Sequence, residues 1–372
     1  MKHKNTLLAL GLALLCSCAS SPKQEAKTLK DAYADKFYIG TALHVDQLMG
    51  LDEKSVEVVK TNFNAIVAEN CMKSEEMRPA DGEFFFDEAD KFVQFGEENG
   101  MFTIGHTLIW HSQAPAWFFT DAEGKEVSRE VMIERMRTHI HTVVGRYKGR
   151  VKGWDVVNEA IEDDGSFRQS KFYQIVGEDY LKLAFQFAHE ADPEAELYYN
   201  DYSMDKAGKR EGVIRLVKSL KEAGLRIDAV GMQGHVGLKY PDINEFEKSL
   251  AAYADLGVKV MITELDITVL PLPWEQEGAE ISVNFDYSED MDPYKNGLAA
   301  EVEKQQADRY LEFFTLFNKY SESISRVTLW GVTDHQTWKN DWPIKGRTDY
   351  ALLFDRNYQA KAVVADLIKI AN

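Results

Sequence analysis

The chain has 372 residues, of which 45% are hydrophobic, so it can bury a sizeable core, and barrels of alternating strands and helices often reach this length as one domain. Its 43 basic and 61 acidic residues give a net charge of −18, which repels phosphate backbones and argues against a nucleic-acid partner. A neutral polymer such as a polysaccharide feels no such repulsion.

The N-terminal segment has the composition of an export signal. Lys2 and Lys4 precede an apolar run at residues 7–15 that is too short to span a bilayer. The run ends in Leu-Cys-Ser-Cys, which resembles a bacterial lipobox with cleavage after Ser17 and a lipid on Cys18. Ordinary secretion with Cys18 unmodified is the alternative. We therefore expect an exported protein whose only contact with a bacterial membrane is this lipid. The anchored protein could be at the cell surface or elsewhere.

Three regions follow from this interpretation. Residues 1–18 are the lipoprotein signal peptide with its lipobox, residues 19–34 are a polar tether, and residues 35–372 form the folded domain. Cys71 is then the only cysteine certain to lie in the folded part, so no intramolecular disulfide and no cysteine metal cluster can be drawn. We expect Cys71 to be a small buried apolar residue.

From Phe37 onward, short runs rich in β-branched residues alternate with longer amphipathic segments, as in βα units around a parallel sheet. Helical periodicity is clear at residues 178–191 and 210–223. The predicted strands are residues 37–43, 65–70, 102–108, 151–159, 195–200, 228–233, 258–264 and 326–332.

Eight such units favour a single-domain (β/α)8 TIM barrel, in the α/β class, over an open doubly wound sheet. No glycine-rich dinucleotide loop follows the first strand, and no internal repeat divides the chain. The connection at residues 268–298 is too long for a plain turn. We expect it to form part of a cleft rim, with a solvated surface loop as the alternative.

Nearly every predicted strand ends in carboxylates, amides, His or Trp. Since burying such groups is costly unless they are paired, a ring of them at one end of a barrel indicates function. Glu159 ends the fourth strand and Glu264 the seventh. Facing carboxylates suit glycoside hydrolysis, in which one protonates the departing oxygen and the other meets the developing oxocarbenium ion. Their separation, about 5 to 5.5 Å for retention and larger for inversion, is not fixed by the sequence. A salt bridge or helix cap is the alternative for either Glu alone.

Eight ordered segments carry a family resemblance: VAENCMK (67–73), GHTLIWHSQAP (105–115), WDVVNEA (154–160), YYND (198–201), MQGH (232–235), ITELD (262–266), LWGVTDHQTW (329–338) and LLFD (352–355). Together they resemble glycoside hydrolase family 10, the β-1,4-xylanase family, over nearly all of residues 37–368. The resemblance implies a retaining endo-1,4-β-xylanase that acts on xylan and xylo-oligosaccharides as a monomer, with no cofactor and no metal.

The resemblance also implies roles for single residues. Glu159 is the acid/base, and Glu264 is the nucleophile that forms a glycosyl-enzyme. Asn158 donates to the sugar 2-hydroxyl, while His235 donates to Glu264 and is oriented by Asp266. The residues expected to bind the sugars at and beside the cleavage point are Glu69, Asn70, Lys73, His106, Trp110, Gln233, Trp330 and Trp338. His111, Asn200 and Asp201 are expected behind them. The sequence departs from the family pattern at Thr337, where the family more often has Ser, and in the long segment 339–349. These departures leave open which sugars the individual subsites prefer.

Several other interpretations remain. Asn158 could cap a helix, and a single His or Trp is ordinarily a core residue. His106 and His111 suggest a metal, but no further ligand stands at suitable spacing. Two other functions are a β-1,4-glucanase of a related barrel family and a non-catalytic surface glycan-binding protein. The intact pair of Glu159 and Glu264 argues against the binding protein, which gains nothing from a proton donor opposite a carboxylate.

Overall fold

A computed structural model of the chain describes residues 28–273 and 281–371. The strands in these ranges are β1 (Tyr38–Leu43), β2 (Ala65–Ala68), β3 (Phe102–Trp110), β4 (Gly153–Asn158), β5 (Glu196–Asp201), β6 (Ala229–Met232), β7 (His235–Gly237), β8 (Lys259–Thr268) and β9 (Ile324–Leu329). All pairings between them are parallel. β1 pairs with both β2 and β9, and β6 pairs with β8, so eight strands close into a barrel. The predicted (β/α)8 barrel is therefore confirmed. β7 is a short addition that pairs only with the end of β8 among the described strands.

The α-helices of the described residues lie mostly between the strands. They are α1 (Leu29–Ala32), α2 (Val45–Leu48), α3 (Glu53–Asn62), α4 (Ser74–Met77), α5 (Asp87–Glu98), α6 (Arg129–Arg146), α7 (Lys171–Val176), α8 (Asp179–Ala191), α9 (Ala207–Glu222), α10 (Ile243–Ala254), α11 (Ala300–Lys319) and α12 (Val363–Ile370). Short 3₁₀ turns occur at Ala116–Phe118, Glu289–Met291 and Trp338–Asn340. The two segments with clear helical periodicity correspond to α8 and α9. Among the described helices, none has the length and apolar character needed to cross a bilayer.

Side-chain caps define where several helices begin. The Ser128 hydroxyl accepts from the amide of Val131 at the start of α6, and the Ser170 hydroxyl accepts from Tyr173 at the start of α7. Each cap satisfies one of the amides that a helix leaves without an internal partner, and such a cap typically stabilises a helix by about 1 kcal/mol. The helices thus start at fixed points after the strands, which fixes the connecting loops that form the mouth of the barrel.

Inside the barrel, large side chains fit because small ones face them. The interior cluster comprises Ala42, Ala65, Val67, Ile104, Tyr198, Ala229, Met261 and Trp330. Gly153 is required by close approach, since a Cβ at that position would lie 2.0 Å from the Tyr198 hydroxyl. Near the start of β9, Arg326 lies over the Tyr198 ring at 4.7 Å and faces Asp155 at 3.8 Å. The barrel interior therefore contains a buried Arg326–Asp155 pair beside its apolar cluster.

The N-terminal boundary differs from the prediction. Leu29 and Tyr33 are fully buried, and the Tyr33 hydroxyl donates to the carbonyl of Leu367 on α12 at 2.9 Å. Residues 28–34 therefore belong to the fold, and the predicted tether reaching residue 34 was wrong at its C-terminal end. One turn of helix shows a single apolar pair four residues apart, which is too little periodicity to recognise in a sequence. Cys18 and the predicted signal segment 1–18 lie outside the described residues.

Candidate active site

A cavity of about 320 Å³ opens at the carboxyl ends of the strands. It is lined by Glu69, Asn70, Lys73, His106, Trp110, Gln113, Asn158, Glu159, Gln233, His235, Glu264, Ile281, Trp330, Trp338 and Trp342. Every residue predicted to act on or bind the sugars is in this lining. Asp266 lies directly behind His235. Ile281 comes from the long connection after β8, which agrees with the expected cleft rim, although residues 274–280 lie outside the described part.

Glu159 follows β4 in a left-handed backbone conformation, with φ of 58°. A residue other than glycine in this region costs of order 1–3 kcal/mol and is found mainly at functional sites. The turn is held because the amide of Glu159 donates to the carbonyl of Asn200 at 2.9 Å, and the amide of Ala160 donates to the Tyr199 hydroxyl at 3.0 Å. The neighbouring strand β5 therefore fixes the turn on which Glu159 stands.

The Glu159 carboxyl group is suited to hold a proton. Trp110 Nε1 donates to its Oε2 at 2.8 Å and Gln233 Nε2 to its Oε1 at 3.0 Å, and the residue is 5% exposed. Burial raises the pKa of Glu159, with Asp201 adding to the increase, while His111 and these two hydrogen bonds offset part of it. The net direction is upward, which favours the acid form.

Glu264 on β8 shows the opposite behaviour. Its Oε1 accepts from Asn200 Nδ2 at 2.8 Å, and its Oε2 faces His235 Nε2 at 3.0 Å. Burial alone would raise the pKa of Glu264, but the hydrogen bond and the charge of His235, with smaller contributions from His106 and Asn200, hold this pKa below its usual value. Glu264 is therefore ionised under conditions in which Glu159 keeps its proton.

His235 lies between two carboxylates, with Nδ1 2.9 Å from Asp266 Oδ2 and Nε2 facing Glu264. The pairing of β7 with β8 sets this arrangement, since His235 is in register with Asp266. Ionised carboxylates only accept hydrogen bonds, so both ring nitrogens donate and the ring is an imidazolium. Burial lowers the pKa of His235, but Asp266 and the two hydrogen bonds raise it above its usual value overall. The expected contacts of His235 with both acids are thus present.

Asn158 is oriented through Asn200. Thr263 Oγ1 donates to Asn200 Oδ1 at 2.6 Å, so the Asn200 amide nitrogen points the other way and donates to Asn158 Oδ1 at 3.0 Å and to Glu264. With its oxygen occupied, Asn158 directs its own amide nitrogen toward Glu159 Oε1, 3.3 Å away. A donor is therefore fixed between the two acids. Asn200 was expected only behind the site, and its direct bond to Glu264 was missed.

The walls of the cleft combine a cation, amides and aromatic faces. Lys73 Nζ donates to Asn70 Oδ1 at 2.8 Å and Gln113 Oε1 at 2.7 Å, and lies 4.9 Å from the Trp110 ring centre. The rings of Trp338 and Trp342 are stacked, with centroids 4.6 Å apart. Such aromatic faces suit the apolar side of a pyranose, while amides and Lys suit its hydroxyls. Gln113 and Trp342 were not predicted; Gln113 lies inside the GHTLIWHSQAP motif, and Trp342 was hidden in segment 339–349.

The two histidines considered as metal ligands have other contacts. His106 Nδ1 lies 2.9 Å from Asp155 Oδ2, and His111 Nδ1 lies 4.0 Å from Glu159 Oε2. Within residues 28–273 and 281–371, no group of three or more His, Cys, Asp or Glu side chains is arranged to hold a metal ion. His106 is thus placed beside Asp155 of β4, and His111 beside Glu159 of the cleft.

A sequence profile for glycosyl hydrolase family 10 matches residues 28–370. The chain belongs to this family. It is 52% identical over 368 residues to an endo-1,4-beta-xylanase A of Xylanibacter ruminicola, with 99% of each chain covered. It is 39% identical over 363 residues to an endo-1,4-beta-xylanase of Geobacillus stearothermophilus, covering 95% of this chain and all of the relative. A solved family 10 endoxylanase from a sugarcane soil metagenome superimposes with a TM-score of 0.89 at 46% identity, covering 92% of this chain and 99% of the other. The family resemblance inferred from the eight segments is confirmed.

Proposed function

We propose that the chain is a retaining endo-1,4-β-xylanase, with Glu159 as the acid/base and Glu264 as the nucleophile. The observation that carries this proposal is that two buried glutamates line one cleft of a family 10 barrel in different surroundings, since Glu264, unlike Glu159, faces His235 at 3.0 Å. These surroundings shift the pKa values of the two acids in opposite directions. Pairs of acids whose surroundings separate their pKa values in this way are suited to divide the roles of proton donor and anion. The similarity to xylanases over almost the whole chain supports the substrate.

In the first step, Glu264 attacks the anomeric carbon while Glu159 protonates the departing glycosidic oxygen. The hydrogen bonds from Asn200 and His235 hold the Glu264 carboxylate in place, so little reorganisation is needed as the reaction proceeds. Asn158, whose orientation is fixed by Asn200, donates to the sugar 2-hydroxyl, a contact that strengthens toward the transition state. The product of this step is an ester between the sugar and Glu264.

In the second step, Glu159 acts as the base. Once Glu264 is esterified, its negative charge is gone, and the remaining acid ionises more easily. Glu159 then takes a proton from a water molecule that attacks the anomeric carbon and releases the sugar with its original configuration. The same residue therefore alternates between its two protonation states during one turnover.

Two alternatives can be weighed against the site. A non-catalytic glycan-binding protein does not need one acid protonated and its neighbour ionised, so the opposite pKa shifts favour the enzyme. A β-1,4-glucanase would have to accommodate a hydroxymethyl group on each sugar. Trp338 donates from Nε1 to Asp266 at 2.7 Å and packs beside His235, so this wall of the cleft is held in place and favours the smaller xylose unit.

Hydrolysis of xylohexaose followed by proton NMR is expected to show the β-anomer of the product first, with the α-anomer appearing only through mutarotation. The reason is that two successive displacements at the same carbon restore its configuration. Cellohexaose serves as the matched substrate and is expected to react far more slowly. Initial release of the α-anomer would contradict the double displacement, and a preference for cellohexaose would favour the glucanase.

We also propose that the N-terminal segment carries a lipid on Cys18, as its lipobox-like sequence suggests. When the full chain is produced in a bacterium that processes lipoproteins, it is expected to enter the detergent phase of Triton X-114, and Cys18→Ala is expected to move it to the aqueous phase. Cys16→Ala is the matched control and should leave the partitioning unchanged. Detergent-phase partitioning of Cys18→Ala would refute the anchor.

A further inference from the structure

A buried ammonium group lies behind the cleft, beyond the residues discussed so far. Lys339 stands on the 3₁₀ turn Trp338–Asn340 and is only 3% exposed. Its Nζ lies 4.3 Å from the Trp338 ring centre, 4.7 Å from that of Trp342, and 3.8 Å from Asp266 Oδ1. A charge removed from water in this way is costly unless other groups compensate for it. Two aromatic faces and a carboxylate supply that compensation.

Asp266 joins this ammonium group to the histidine that contacts Glu264. Its Oδ2 faces His235 Nδ1 at 2.9 Å and accepts from Trp338 Nε1 at 2.7 Å. Its Oδ1 is buried and accepts no hydrogen bond from the described residues, and this is the oxygen that faces Lys339. Each oxygen of Asp266 is therefore directed at a different cation.

Four charged groups in this region form a row, and the charges of Lys73 and His106, which share the cleft with Glu264, act on Glu264 in addition. The row runs Glu264, His235, Asp266, Lys339, with alternating negative and positive charges. Burial lowers the pKa of Lys339, with Arg347 adding to the decrease, while Asp266, Asp349 and Glu264 oppose it. Burial raises the pKa of Tyr240, with Asp266 and Asp349 adding to the increase and Arg347 opposing it. Asp349 is satisfied separately by the amides of Val269 and Tyr350 and the hydroxyl of Thr268, and Arg347 by the carbonyls of Pro271 and Trp342. Without Lys339, the remaining three groups, Glu264, His235 and Asp266, would carry a net charge of −1.

We propose that Lys339 is a positioning residue for the nucleophile, whose charge, acting directly and through Asp266, keeps Glu264 ionised in acid solution. This inference rests on the proposed role of Glu264 and adds to it a residue that does not touch the sugar. Lys339 begins the segment 339–349, in which this sequence is longer than a short loop.

The direction of the expected effect follows from electrostatics. Removing a positive charge raises the pKa of every ionisable group that faces it. The pKa of Glu264, which His235 now holds low, should therefore rise, and so should the pKa of His235, which Lys339 lowers. His235 has a pKa above its usual value, so it is already protonated where Glu264 titrates, and a further rise cannot compensate for the lost charge.

The test compares Lys339→Met, which keeps the length of the side chain between the two Trp rings, with Lys339→Arg, which keeps the charge. The pH dependence of kcat/KM is measured on an aryl xylobioside. We expect the acid limb of Lys339→Met to move to higher pH by about 0.5 to 1 unit, and that of Lys339→Arg to stay within about 0.2 unit of the parent. Lys339→Gln, which keeps a polar contact to Asp266 without the charge, replaces the Met variant if the latter does not fold.

A second readout does not depend on activity. The imidazole signals of His235, assigned by their loss in His235→Asn, are followed by NMR as a function of pH. In Lys339→Met their midpoint should rise, which tests the charge coupling even if Glu264 has another role. An acid limb and a His235 midpoint both unchanged in a folded Lys339→Met, or an effect confined to KM or to thermal stability, would overturn the proposal.

Discussion

Replacing Glu264 with Ala is expected to reduce xylan turnover by about 10⁵-fold, because no other side chain can form the glycosyl ester. Removal of the carboxylate leaves space against Asn200 Nδ2 and His235 Nε2, both of which are donors. Azide added to the variant can occupy that space and attack the anomeric carbon of an activated aryl xylobioside. The product of this single displacement should be the α-glycosyl azide, with inverted configuration, identified by NMR.

The configuration of the azide product makes this prediction specific to the nucleophile. A variant that had merely lost its fold would give no azide product. Glu194→Ala, an exposed substitution just before β5 at the opposite end of the barrel, is the matched control and should retain full activity. Glu264→Ala with normal xylan turnover, or with azide product of retained configuration, would contradict the assignment.

Replacing Glu159 with Ala should have an effect that depends on the leaving group. Xylan, whose departing oxygen needs a proton, should lose about 10²- to 10⁴-fold in turnover, whereas a dinitrophenyl xylobioside should still form the glycosyl-enzyme, since its leaving group departs unprotonated. That intermediate then accumulates, because Glu159 is also the base for water. Burst kinetics and mass spectrometry of the labelled enzyme measure these outcomes.

Azide again distinguishes the two roles. In Glu159→Ala it needs no base, so it should restore turnover of the activated substrate and give the β-glycosyl azide, because it displaces Glu264 from an ester that has already inverted once. An equal loss of rate for all leaving groups, or an α-azide product, would show that Glu159 is not the acid/base.

Much of the barrel and its acidic pair could be predicted because both depend on local patterns. A parallel barrel strand is a short run of buried residues, and the direction of the chain fixes which end of the strand carries the chemistry. Glu159 and Glu264 end two such runs, so their convergence required only the closed barrel. The eight family segments then supplied the partners of these two acids.

Other features depend on tertiary contacts that leave no local pattern. Asn200 contacts both Asn158 and Glu264 because Thr263 orients its amide, and that orientation depends on the register between neighbouring strands. Trp342 lines the cleft with its ring stacked on that of Trp338, a contact that no local sequence pattern indicates. In the sequence, Lys339 resembles an ordinary surface lysine, because nothing nearby in the chain indicates that its side chain is buried. Side-chain rotamers and the register between neighbouring strands could therefore not be predicted from the sequence.

The docking of α1 on α12 places the start of the described chain at the end of the barrel opposite the cleft. α1 lies just before β1, and β1 runs from there toward the cleft. The first described residues are therefore at the end of the barrel that is remote from the cleft. If Cys18 is acylated, the ten Cα–Cα steps from Cys18 to Thr28 span at most about 36 Å. Such an anchor would join the barrel at the end opposite the cleft, so it would not cover the cleft that has to bind an insoluble polymer.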